Sequence, residues 1–193
     1  MPKPPNQSPA QRAWRVGLLE RSAAKYTMNR LMKTAGWMDI ARREAGVATF
    51  AATSSNPRIE EYHRVVSTRS WDDKVSWCSS FLNWCMLKAG LPGTGSALAR
   101  SWLDWGVPLA NARAGCVVVL WQESPDSWKG HVGLFLREED GHIFLWGGNQ
   151  LGGVREHFYP IDRVIGYRWP AEASLAAQPM LSTHGRPVTF GKK

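Results

Sequence analysis

The sequence has no long apolar run, few cysteines and no apolar segment near its start. No stretch of the 193 residues approaches the ~18 apolar residues that a membrane-spanning helix needs. The first residues, Met1 to Asn6, lack the apolar centre of a secretory signal, so we expect synthesis in the cytoplasm without a signal peptide. Three cysteines without ligand-like spacing argue against a disulfide framework or a zinc site. We therefore expect no metal and no cofactor.

The chain combines an ordinary globular composition with an uneven distribution of charge. Hydrophobic residues make up 44% and charged residues 21%, and the length suits one domain with flanking segments. The net charge of +8 comes from the flanks, because 1–35 carry +6, 171–193 carry +2 and 36–170 are balanced. We expect a basic N-terminal arm over 1–35, partly disordered or helical, a domain over 36–170 and a flexible tail over 171–193. The arm suits contact with an anionic surface or only increases solubility, and the neutral body does not suggest nucleic-acid binding.

The hydrophobic pattern predicts helices in the first half of the domain and strands in the second. We expect helices over 37–44, 58–66, 78–89 and 97–105, and in the 78–89 segment apolar residues recur at helical spacing. Period-two and β-branched segments follow, over 116–121, 131–136, 142–146, 154–159 and 164–169. The short connections between these strands favour antiparallel pairing. The sequence therefore predicts an α+β class, with N-terminal helices packed on an antiparallel β-sheet meander.

The helix predicted over 78–89 places a cysteine in its first turn. Ser76 is a plausible N-cap, and the apolar stripe begins at Cys78. The helix dipole favours a thiolate at that end, and the thiolate is the nucleophilic form of cysteine. A cysteine on an apolar helix stripe is more often a small buried residue, and we interpret Cys85 and Cys116 in that way.

Two further polar residues complete a candidate constellation. His131 begins a strand after a glycine, and Asn149 follows the next strand after a Gly-Gly pair. Neighbouring antiparallel strands can bring such positions side by side. A thiol, an imidazole and an amide are the nucleophile, base and orienting group of a cysteine hydrolase. His142 is a rival for the base, and a contribution from Gln150 stays open.

The three motifs together resemble the NlpC/P60 and CHAP group of papain-like cysteine hydrolases. They are Trp-Cys-Ser-Ser-Phe at 77–81, Gly-His-Val-Gly at 130–133 and Gly-Gly-Asn-Gln at 147–150. The resemblance implies a papain-like fold over 36–170 and cleavage of peptide or amide bonds in bacterial peptidoglycan. It makes Cys78 the nucleophile, His131 the general base and acid, and Asn149 the residue that orients the imidazole. The backbone N–H of Cys78 would contribute to an oxyanion hole.

The setting implied by this resemblance is that of a phage lysin or a secreted antibacterial effector. Such a protein acts in the periplasm or cell wall after export, injection or lysis, and its partners include peptidoglycan, a delivery component and an immunity protein. Two alternatives stay open. One is a papain-like hydrolase or acyltransferase with another substrate. The other is a non-catalytic wall-binding domain that uses a tryptophan-lined groove, formed by Trp77, Trp121, Trp128 and Trp146. Asp73, close before Cys78, is interpreted as a solvated loop acid rather than a site residue.

Overall fold

The computed structural model of the chain describes residues 36–51, 54–67, 69 and 71–171. Three helices come first: α1 over 36–43, α2 over Pro57–Arg64 and α3 over Cys78–Lys88. A 3₁₀-helix over Ala99–Asp104 follows, and another over Ile161–Arg163 precedes the last strand. The strands are β1 Val107–Leu109, β2 Val117–Trp121, β3 Gly130–Glu139, β4 His142–Gln150, β5 Gly153–Pro160 and β6 Val164–Trp169. The predicted α+β class is confirmed.

Parts of the predicted organisation lie outside the described residues. These are the basic arm over 1–35 and all of the C-terminal tail after residue 171. Within the described ranges, no helix has the length and apolar character to cross a membrane.

The strands form one six-stranded antiparallel sheet in the order β1-β6-β2-β3-β4-β5. Strands β2 to β5 are the predicted meander, in which each strand pairs with the next along the chain. β6 returns to the free side of β2, and β1 pairs with β6 at the edge. The sequence did not predict β1, because it has only three residues and contains Pro108. A proline is tolerated at such an edge, where its missing N–H breaks no ladder.

The helices are positioned by a buried carboxylate that precedes α3. Asp73 is 2% exposed, and its Oδ2 accepts hydrogen bonds from the backbone N–H groups of Phe50 (2.8 Å) and Asn56 (3.0 Å). Burial alone would raise the pKa of Asp73, but the Lys74 ammonium and these two N–H groups outweigh it and lower that pKa. The interpretation as a solvated acid was wrong. Asp73 ties the segment before α2 to the segment before α3.

Helix α3 runs through the core, and every residue from Cys78 to Met86 is buried. On one side its Phe81 packs edge-on against Tyr62 of α2, with ring centroids 5.3 Å apart. On the other side it approaches β4 at Gly148. The predicted N-cap was wrong, because Trp77 occupies the cap position and no side chain in the described part of the chain caps the helix. Helix α3 therefore begins at Cys78, which leaves backbone N–H groups of its first turn available at the thiol.

Gly148 allows β4 to lie directly against the start of α3. A Cβ at this position would lie 2.5 Å from the Trp77 ring and 2.7 Å from Phe81 Cβ, and both side chains are fully buried. We expect Gly148→Ala to lower the free energy of unfolding by about 1–3 kcal/mol, as other overpacked cores do. Urea denaturation measures this loss. Gly36→Ala is the control, because a Cβ there meets no atom of the described residues within 4 Å. Equal stabilities of the two variants would contradict the close approach of β4 to α3.

Candidate active site

The Cys78 thiol lies where the start of α3 meets the start of β3. Cys78 is the first residue of α3 and is 3% exposed. Its sulfur faces the backbone N–H of Val132, the residue that follows His131 in β3. The start of helix α3, which carries Cys78, therefore meets the start of strand β3, which carries His131.

Several hydrogen-bond donors surround this thiol. The backbone N–H groups of Val132, Ser79 and Cys78 and the Ser76 hydroxyl all favour the thiolate. Burial has the largest effect, however, and the pKa of Cys78 is raised above the usual value of a cysteine. The resting site therefore holds a neutral thiol. The hydrogen-bond donors around it would stabilise negative charge on the sulfur once the thiol loses its proton.

His131 is also neutral at rest, and among the described residues one side chain, that of Gln150, forms a hydrogen bond with its ring. The residue is 4% exposed, and burial lowers the pKa of His131 to about 4 although its bond to Gln150 opposes that change. His131 Nε2 lies 3.2 Å from Gln150 Oε1. Its Nδ1 has no hydrogen-bond partner among the described residues. The imidazole is thus tethered through one nitrogen, and the other nitrogen remains available.

The contacts of Gln150 decide which nitrogen of His131 carries the proton. The Gln150 amide nitrogen donates to the backbone carbonyls of Leu145 (3.1 Å) and Arg155. Because carbonyls only accept, these two contacts fix the amide so that Oε1 points toward His131 and Tyr159. The Tyr159 hydroxyl donates to the same oxygen at 3.2 Å. His131 Nε2 must therefore be the protonated nitrogen, and Nδ1 carries a lone pair that can accept a proton.

Asn149 does not make the contact that the sequence predicted for it. Its amide nitrogen donates to Ser76 Oγ at 3.3 Å, and Gln150 occupies the place beside His131. The cause is a bulge in β4. Gly147 pairs with Arg155 and Gln150 pairs with Gly153, so β4 has one residue more than β5 in this interval.

The extra residue exchanges the faces of the two amides. Without it, Asn149 would share a face with Gly147 and Leu145, which lie two and four residues earlier in the strand. The bulge, with Asn149 in the left-handed region at φ 58°, brings Gln150 to that face instead. The Gly-Gly pair before Asn149 was a signal for this bulge, because glycine inside a strand often marks one.

The other candidates lie away from this site or in the core. His142 starts β4 at the opposite end of the hairpin, and its Nδ1 contacts the backbone carbonyl of Asp140 at 2.8 Å. Cys85 and Cys116 are fully buried. Of the four tryptophans of the predicted groove, Trp77 is fully buried and Trp128 is 70% exposed. The indole N–H groups of the other two donate to backbone carbonyls. In the described part of the chain, no three His, Cys, Asp or Glu residues are grouped to hold a metal ion.

The buried imidazole predicts a loss of stability in mild acid. The folded-state pKa of His131 is about 4, below the value of about 6.5 in an unfolded chain. The unfolded chain therefore takes up a proton first as pH falls, and stability that is complete above pH 6.5 is lost toward pH 4. Between pH 7.5 and 4.5 this one group costs about 2–3 kcal/mol of stability. His131→Gln, whose amide can still donate to Gln150, is expected to lose that much less stability over the same interval.

Urea denaturation of both proteins at the two pH values measures this difference. Subtracting the loss of stability in His131→Gln from that in the wild type cancels the contributions of other groups. Among these are His63 and His157, whose pKa values are also lowered by burial. An identical acid sensitivity of the two proteins would mean that His131 is not buried as a neutral ring.

No protein-family description matches the chain, and no curated protein matches it. Among solved structures, the chain is similar to a protein of Staphylococcus aureus subsp. aureus Mu50 described as similar to a lipoprotein of the NLP/P60 family. The two are 19% identical with a TM-score of 0.39, over 72% of this chain and 41% of that one. The chain thus spans less than half the length of that protein.

Proposed function

We propose that the protein is a cysteine hydrolase that cleaves an amide bond of bacterial peptidoglycan, with Cys78 as nucleophile and His131 as base. The observation that carries the proposal is the meeting of the Cys78 thiol, at the first turn of α3, with the start of the His131 strand. Donors aimed at the sulfur and an imidazole of fixed tautomer are what nucleophilic catalysis by cysteine requires. The motif resemblance supports peptidoglycan as the substrate.

In the proposed mechanism, the proton of the thiol moves to His131 Nδ1 while the sulfur attacks the carbonyl carbon of the substrate. The resulting oxyanion accepts hydrogen bonds from N–H groups at the start of α3, including that of Cys78. The tetrahedral intermediate collapses, the C–N bond breaks, and the leaving amine takes the proton from Nδ1. Water then attacks the thioester with His131 as base, which releases a carboxylic acid and restores the thiol.

Gln150 has a defined part in this cycle. When Nδ1 takes the proton, the ring becomes a cation that is buried in the protein. The Nε2–H bond to Gln150 Oε1 then stabilises the imidazolium, because hydrogen bonds to charged groups are stronger than those between neutral groups. Asn149 has an indirect part, since it holds the Ser76 hydroxyl that lies beside the sulfur. In this proposal Gln150, and not Asn149 as the sequence predicted, orients the imidazole.

The proposed place of action is the periplasm or cell wall, reached by export, injection or lysis. A lysin of a phage and an antibacterial effector fit this proposal equally. Both would use peptidoglycan as substrate, and an effector would also have an immunity protein as partner.

The test is incubation of the purified protein with purified peptidoglycan, followed by mass analysis of the soluble fragments. We expect fragments from the wild-type protein and none from a parallel preparation of Cys78→Ala. Fragment masses identify the bond, because a cut between sugar and peptide leaves products different from a cut within the peptide. If a folded wild-type protein releases nothing, hydrolysis of peptidoglycan is refuted. Sedimentation with the insoluble wall would then favour a binding domain, whereas turnover of other amides or thioesters would favour another papain-like activity.

A further inference from the structure

Tyr159 lies over the His131 ring. It is a half-buried residue of β5, in register with Ile143 of β4. The two ring centroids are 5.1 Å apart and the ring planes meet at 33°, so the two rings pack against each other in a tilted arrangement. The motifs found in the sequence did not include this tyrosine, because nothing in its local sequence distinguishes it from any aromatic residue of a strand.

The Tyr159 hydroxyl also reaches the residue that fixes the His131 tautomer. It donates to Gln150 Oε1 at 3.2 Å, the same oxygen that accepts from His131 Nε2. A carbonyl oxygen has two lone pairs, so these two donors use its full capacity. Tyr159 therefore contacts the imidazole twice, directly through its ring and indirectly through Gln150.

We propose that Tyr159 is a positioning residue for the His131 base, whose hydroxyl completes the hydrogen bonding of Gln150 and whose ring keeps water from the imidazole. The inference rests on the proposed function, since His131 needs positioning only if it acts as a base. It goes beyond that function by assigning a fourth residue, on a fourth element, to the same site.

Titratable groups near the two rings affect the titration of His131. His157, two residues before Tyr159, packs edge-on against its ring with centroids 5.0 Å apart. The groups that act electrostatically on this cluster are the Cys78 thiol, Arg155 and Arg163. Burial, followed by a thiolate at Cys78, raises the pKa of Tyr159, so its hydroxyl stays protonated and remains a donor at every pH of interest. A change in the pKa or tautomer of His131 after substitution of Tyr159 can then be attributed to loss of the packed ring or to loss of the hydroxyl.

The experiment compares two substitutions that separate the ring from the hydroxyl. Tyr159→Phe keeps the ring and removes the donor, and Tyr159→Leu removes both. The pKa and tautomer of His131 are read from ¹⁵N chemical shifts of the resting protein, and kcat and KM from release of peptidoglycan fragments. We expect kcat to fall about fivefold in Tyr159→Phe and at least tenfold in Tyr159→Leu, with KM nearly unchanged. In Tyr159→Leu alone, the His131 pKa is expected to rise by at least one unit as water reaches the ring.

The matched control is Tyr167→Phe, which removes a hydroxyl that makes no hydrogen bond to the described residues, on another strand of the same sheet. It should leave kcat and the His131 titration as in the wild type. A Tyr159→Leu protein that titrates like the wild type would overturn the proposal. If that variant does not fold, a wild-type kcat in Tyr159→Phe would overturn it instead. Because the ¹⁵N measurement needs no substrate, it decides the positioning role even if peptidoglycan is not cleaved.

Discussion

Replacement of Cys78 by alanine is expected to abolish the release of peptidoglycan fragments while the fold persists. Without the sulfur no thioester can form, so we expect kcat/KM to fall by at least about 10⁴-fold, as in other hydrolases that lose their nucleophile. Cys78 is buried but small, so its truncation should lower the free energy of unfolding only modestly. Fragment analysis measures the activity, and urea denaturation shows that the variant remains folded.

Cys78→Ser tests the same assignment with a nearly isosteric change. A hydroxyl is a much weaker acid than a thiol, and a base with the depressed pKa of His131 cannot readily deprotonate it. We therefore expect the serine variant to be nearly as inactive as the alanine variant. Cys116→Ala is the matched control, since Cys116 is another buried thiol that lies beside Arg113. It should lose stability and keep its kcat. Activity retained in Cys78→Ala would end the nucleophile assignment.

The sequence was sufficient for those features that depend on local pattern. The switch from helical to period-two spacing near residue 116 predicts helices first and a meander afterwards, and both are present. The placement of Cys78 in the first turn of α3 and of His131 near the start of β3 also follows from local patterns, although the N-cap does not. These features could be predicted because each depends on neighbours within a few residues.

What the sequence did not reveal depends on pairings between distant segments. Asp73 looks like a loop acid until the N–H groups of Phe50 and Asn56 are brought to it. Ser76 looks like an N-cap, but its hydroxyl lies beside Cys78 and accepts from Asn149. In both cases the polar side chain was recognised, whereas its partner came from another part of the fold.

The choice between Asn149 and Gln150 shows the same limit most clearly. Adjacent residues of a strand point to opposite faces, so a single extra residue decides which amide reaches His131. That extra residue is visible only in the pairing of β4 with β5, where Gly147 and Gln150 are three apart and their partners Arg155 and Gly153 are two apart. A motif that contains both amides cannot distinguish them.

Gln150→Met is expected to have the second-largest effect on activity. Methionine has nearly the volume of glutamine but leaves His131 Nε2 and the carbonyls of Leu145 and Arg155 without their partner. We expect a loss of roughly 1–3 kcal/mol in the free energy of unfolding, because these buried groups lose their hydrogen bonds. The Nδ1-protonated tautomer should then become populated, and a base in the wrong tautomer lowers kcat by about 10²-fold or more. Proton-detected ¹⁵N spectra of His131 and fragment release measure the two effects.

Asn149→Ala is the decisive comparison, because it removes the adjacent amide of the same motif. Its contact is with Ser76 Oγ, so its loss should leave the tautomer of His131 unchanged. Activity should fall by less than about tenfold, because the substitution acts on the donors around the Cys78 sulfur and not on the base. Ser76→Ala should produce a similar loss, and the double variant should add little to either single variant, since both changes remove one chain of contacts. The opposite result would be a large loss of activity and a changed His131 tautomer in Asn149→Ala, with little change of either in Gln150→Met. That result would assign the orienting role to Asn149.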